Sequence, residues 1–120
     1  MPKPFTNFAV TRFVNREAVL KTLKECARRL TEEIPGVEVR LFGSYAGGTP
    51  TPRSDADIAV VVPDGFPLPF THVRDLAETI FLQAPVPVEV FVVTRAALTE
   101  GRENGKSLAK TIARTSMPLV

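Results

Sequence analysis

Two carboxylates at positions i and i+2 where a strand begins point to one face, with Cα atoms about 6–7 Å apart. In this chain they are Asp55 and Asp57, which open the apolar run Ile58 to Val62. That spacing lets both reach one hard cation. Magnesium takes near-octahedral oxygen ligands, commonly one or two carboxylates, and leaves the other positions to water and substrate phosphates. Gly43-Ser44, at the end of another apolar run, is separated from Asp55 by ten residues of turn-forming sequence. A glycine there permits close backbone approach, and a short following helix would aim its first N–H groups and the Ser44 hydroxyl at an anion.

A third acid, Glu89, is the one charged residue in the apolar run Pro85 to Val93. A lone Glu inside such a strand is costly unless it is exposed, paired or bound to a metal. Arg40 is the candidate partner for a purely structural pairing. Asp-x-Asp alone also describes an ordinary turn entering a strand. Three carboxylates converging from two strands repel one another, however, and a cation is the simplest reason to keep them together. Gly43 to Gly48 has the glycine spacing of a phosphate-binding P-loop, but Thr49-Pro50 follows where that loop needs its lysine. No CxxC, HExxH or GxSxG motif occurs, which removes the common zinc hydrolases and α/β-hydrolases.

Gly43-Ser44, ten residues, then Asp55-x-Asp57 resembles the signature of the polymerase-β-like nucleotidyltransferase superfamily. In length the chain is similar to its minimal nucleotidyltransferases, many of which are antitoxins paired with HEPN-family toxins. The resemblance spans about Asn15 to Val93 and implies an α/β (α+β) fold, a small mixed sheet with helices packed on one side and the active site at an exposed edge or face. It implies transfer of a nucleoside monophosphate, AMP from ATP or another nucleoside triphosphate, to an acceptor hydroxyl. Asp55, Asp57 and Glu89 would hold two magnesium ions, with Glu89 also able to take the acceptor's proton. Gly43 and Ser44 would bind the β- and γ-phosphates. Many relatives carry an arginine soon after Gly-Ser; Tyr45-Ala46-Gly47-Gly48 supplies none, and Arg53 is the substitute at hand. The acceptor implied is a hydroxyl on a HEPN-family protein partner. A catalytically inert partner-binding antitoxin module and an aminoglycoside-type small-molecule transferase are the alternatives.

Length and composition agree with one domain over residues 1–120, with 1–14 a candidate tail that docks through Phe5, Phe8 and Phe13 or orders on a partner. Hydrophobic residues at 44% and charged ones at 23% are the balance of a globular chain. The net charge of +2 is weighted to the first third by Arg12, Arg16, Lys21, Lys24, Arg28 and Arg29, which read as a solvated helix face rather than a surface for nucleic acid or an acidic protein. A single cysteine, Cys26, excludes an internal disulfide and falls on the apolar side of that helix. With no membrane-length apolar run and no signal-peptide core, the expected location is cytoplasmic.

The elements that must position the acids follow from periodicity. Asn15 caps a helix whose apolar residues Val19, Leu23, Cys26, Ala27, Leu30 and Ile34 share a face, and Pro35-Gly36 ends it. Val37, Val39 and Leu41 alternate as a strand leading to Gly43-Ser44. Ile58 to Val62, apolar throughout, predicts a strand covered on both faces. Pro63 to Pro69 is a loop; Thr71 is the expected cap of a helix carrying Val73, Leu76, Ala77 and Ile80, with His72 a surface residue of its first turn. After the strand of Glu89, Thr94 caps a short helix through Leu98, Gly101 breaks it, and Glu103 to Arg114 forms a last helix with Leu108 and Ile112 inward. Met117 to Val120 is read as an edge strand or a dimer contact, which leaves homo-oligomerisation open. Strand order is also left open.

Overall fold

The computed structural model describes residues 15–47, 55–104 and 107–120, with the side chains of all but residues 44, 101–104 and 107–110. The expected tail, Arg53, and the Ser44 and Leu108 side chains lie outside what is described. In chain order the elements are α1 (Arg16–Glu33), β1 (Glu38–Phe42), α2 (Ser44–Gly47), β2 (Ala56–Val62), α3 (Phe70–Phe81), β3 (Val88–Thr94), α4 (Arg95–Asn104), α5 (Ser107–Thr115) and β4 (Met117–Pro118).

The strands form one mixed sheet in the order β3-β2-β1-β4. β1 runs antiparallel to both β2 and β4, whereas β2 and β3 are parallel. That parallel pair requires a crossover, and the segment carrying α3 provides it. Its C-terminal end therefore brings the chain back beside the start of β2, where Asp57 stands. Met117–Pro118 takes the edge-strand reading, pairing with Leu41 and Arg40.

Helices cover both faces of the sheet, where packing on one side was expected. Val39, Leu41, Ile58, Val60 and Val62 face α1 and α3 in a cluster that includes Leu23, Leu30, Val73 and Phe81. The alternate residues Phe42, Ala59 and Val61 pack with Leu98 of α4 and Ile112 of α5. The cause lies in β2: Ala56 and Ile58 through Val62 are all 0% exposed, so neither face can be left to water. At about 1.5–3 kcal/mol per fully buried aliphatic side chain, this strand is the strongest anchor in the sheet.

Local signals account for most boundaries. The Asn15 side chain accepts a hydrogen bond from the Glu17 amide at 2.7 Å, and the Thr94 hydroxyl accepts from the Ala97 amide at 3.0 Å, each capping its helix. Two expectations fail. α3 starts at Phe70 with Pro69 in the cap position and no side-chain cap, so Thr71 lies inside the helix. Proline before a helix has a fixed extended-compatible φ and makes the entry without a polar cap. Gly101 does not break its helix: α4 continues through it to Asn104 and takes in Glu103, so the last helix starts at Ser107 rather than Glu103, since a single glycine costs a helix only about 1 kcal/mol.

The basic residues of the first third read as expected, with Lys21, Lys24, Arg28 and Arg29 exposed. Arg16, half-buried, is the exception. Cys26 is buried at 2% exposure, its thiol donating weakly to the Ile80 carbonyl and pushed up in pKa by burial, so it is an inert core residue. Among the described residues no helix is long and apolar enough to cross a membrane.

Candidate active site

Asp57 is the centre of a row that crosses three strands. It is the register partner of Phe42 on β1 and of Glu89 on β3. Neighbouring strands lie about 4.8 Å apart and register partners project to the same face, so the two carboxylates rise side by side. They share the face of Phe42, Ala59 and Val61. The Phe42 and Phe91 rings, with centroids 5.5 Å apart, close the covered part of that face next to the acids. Asp55 stands two residues earlier, just before β2 begins.

The acids differ in environment. Asp55 and Glu89 are exposed, whereas Asp57 is half-buried. Burial, then the negative charges of Glu89 and Asp55, raise the Asp57 carboxyl above the usual carboxylate range. Ionising Asp57 at neutral pH therefore works against two like charges, and a cation would relieve that. The donor chemistry, hard carboxylate oxygens on adjacent strands, fits a divalent cation such as magnesium. Among the described residues no three Asp, Glu, His or Cys side chains stand close enough together to form a ready-made metal cage. The juxtaposition is thus a pair in register, Asp57 with Glu89, and a third carboxylate near enough to be felt electrostatically.

The exposure of Glu89 removes the burial cost that was expected to demand a partner. Arg40 does not pair with it either. Its guanidinium binds the Glu38 carboxylate, the Ser116 hydroxyl and the Ser116 carbonyl, tying β1 to the segment before β4. The structural reading of Glu89 through Arg40 is therefore excluded.

The turn after β1 abuts the acidic row. Gly43 has φ of +81°, a conformation that side-chain-bearing residues rarely adopt, and a Cβ at this position would run into the Asp57 carboxylate. Both constraints demand glycine. The Gly47 amide donates to the Gly43 carbonyl at 3.0 Å, closing the single turn of α2. Tyr45 turns its ring into the core at 4% exposure; burial raises its phenol pKa, with a smaller contribution from the Asp55 carboxylate. Arg16 binds the far side of this turn, a contact that no local spacing in the sequence signals.

Residues 20–115 match the family model described as a nucleotidyltransferase domain. A search among curated proteins finds no match. In three dimensions the chain is similar to the crystal structure of a candidate nucleotidyltransferase from Sulfolobus solfataricus, with a TM-score of 0.58 and 21% identity, over 90% of this chain and 85% of the other. At that identity the likeness speaks for the fold, a mixed sheet with helices. With the family model covering most of its length and the Gly43 turn set against Asp57, the chain belongs to the nucleotidyltransferase domain family.

Proposed function

We propose that this chain is a magnesium-dependent nucleotidyltransferase that moves AMP from ATP to an acceptor hydroxyl on a HEPN-family protein partner. The observation that carries the chemistry is the register of Asp57 with Glu89 beside the Gly43 turn. The donor and acceptor are carried by the resemblance of Gly43-Ser44 and Asp55-x-Asp57 to the minimal nucleotidyltransferases.

In this reading the acceptor oxygen attacks the α-phosphorus, the bond to the β-phosphate oxygen breaks, and pyrophosphate leaves. Bound divalent cations would supply neutralisation of the charge that develops on the attacking and leaving oxygens. Asp55, Asp57 and Glu89 would hold them. Glu89, exposed and in register with Asp57, is open to an acceptor and takes the hydroxyl proton. The backbone of Gly43 and Ser44, free of any Cβ at the first residue, would bind the β- and γ-phosphates beside the acidic row.

The test is incubation of the purified chain with magnesium, labelled nucleoside triphosphates and a purified HEPN-family protein, with Asp57→Asn as control. Label transferred from ATP to the partner by the unaltered chain alone is the expected result. No labelled product with any nucleotide or acceptor would leave the chain as an inert binding module and overturn the enzymatic reading.

A further inference from the structure

Arg16 opens α1, yet its guanidinium serves a different element. Its Nε donates to the Tyr45 carbonyl at 2.8 Å and its Nη2 to the Ala46 carbonyl at 3.5 Å, across 29 and 30 residues of sequence. Both carbonyls lie in α2, a helix of four residues. Unlike its neighbours on α1, Arg16 is half-buried, and among the described residues it pairs with no carboxylate. Its contacts to the turn are therefore not a by-product of an ion pair made elsewhere.

The turn is held on three sides. Gly43 lies against the Asp57 carboxylate, the Tyr45 ring is anchored in the core, and Arg16 grips the carbonyls of Tyr45 and Ala46. Ala46 also packs partly buried against the core, and the planar fork on two successive carbonyls fixes the turn's carbonyl groups, which one flexible ammonium would do less well.

We propose that Arg16 is a positioning residue: by clamping the Tyr45 and Ala46 carbonyls it fixes the Gly43–Gly47 turn against Asp57, and so sets where the triphosphate lies relative to the acidic row. The link to the triphosphate rests on the function proposed above; the clamp itself does not.

The experiment uses the full chain with Arg16→Met and Arg16→Lys and reads two quantities. The first is hydrogen exchange of the Gly47 amide, which bonds to Gly43, compared with core amides such as Leu30 and Val60. The second is the KM for ATP against kcat. Loss of charged hydrogen bonds should speed Gly47 exchange in Arg16→Met by at least about tenfold while core amides keep their protection. KM should rise about tenfold with kcat changed by less than about threefold, and Arg16→Lys should fall between Arg16→Met and the unaltered chain. Gly47 exchange unchanged, or exchange raised equally throughout the core, overturns the clamp. Should Arg16→Met fail to fold, Arg16→Lys carries both readouts with the same criteria. An unaltered chain without transfer activity would sink the proposed function while exchange still decides the clamp. Faster local exchange with an unchanged KM would overturn the positioning role in an active enzyme.

Discussion

Asp57 on β2 and Glu89 on β3 are register partners in a parallel strand pair of the sheet. In a parallel pair the partner side chains rise from the same face, so the crossover through α3 is what places two carboxylates side by side. The neighbouring antiparallel pair puts Phe42 on the other flank of Asp57 and delivers Gly43 directly against it. The site is thus a product of mixed topology: the glycine turn comes from the end of one strand and both acids from the beginnings of two others.

Glu89→Gln preserves volume and removes one of the two paired charges. Glu89 is exposed and free of Arg40, so stability without magnesium should hold or rise. Transfer should fall by at least about a hundredfold, the scale of losing a group that stabilises developing charge. Parallel melting curves and initial rates check both; a variant that is less stable yet fully active would show that Glu89 is structural.

Gly43→Ala meets two obstacles at once, the left-handed φ of +81° and the Asp57 carboxylate in the path of the new Cβ. The backbone conformation alone should cost about 1–2 kcal/mol, with the displaced carboxylate adding to it. Transfer should fall more than stability does, because the turn and Asp57 move apart. Thermal denaturation combined with a rate measurement separates the two effects, and an alanine variant of full activity would contradict the geometry.

How much of this was legible in the sequence depends on the range of the interaction. The caps at Asn15 and Thr94, the apolar face of α1 and the double-sided burial of β2 are local patterns, and the structure follows them. That Asp55 and Asp57 share a face followed from alternation, but that Glu89 joins that face in register with Asp57 did not, because periodicity along one strand says nothing of its pairing with another. The double helical cover was latent in Ile58 to Val62, apolar at every position, and conflicted with the one-sided packing that the resemblance implied. Arg16 was read as one more cation on a solvated face. Its contact spans 29 residues, so nothing in its immediate neighbours distinguishes it from Lys21 or Arg28.

Magnesium with ATP should stabilise the unaltered chain, since a ligand bound only by the native state shifts unfolding by mass action. A rise in melting temperature of at least about 5 °C near saturation is expected. Asp57→Asn should lose most of that rise. Melting curves of the unaltered chain that ignore magnesium and ATP would count against a cation at the acidic row.

The same carboxylate gives stability a pH dependence of defined sign. Burial and the charges of Glu89 and Asp55 raise the Asp57 pKa in the folded chain above the 3.8 of a free carboxyl. Between these two values the folded chain binds more protons than the unfolded one, so this group's contribution to stability grows as pH falls. Above the folded pKa the ionised form is penalised in full; below the unfolded pKa the penalty is gone. Asparagine cannot ionise and carries no such penalty. Metal-free Asp57→Asn should therefore be more stable than the unaltered chain at neutral pH, and the gap should narrow as pH falls through the folded pKa of Asp57. Taking the difference between the two chains cancels the titration of the distant carboxylates, which both share. Denaturant unfolding of the pair at matched pH values from neutrality downward makes the measurement. A gap that is independent of pH would mean that Asp57 titrates alike in the folded and unfolded chain, and that the carboxylates of β2 and β3 do not repel across the sheet.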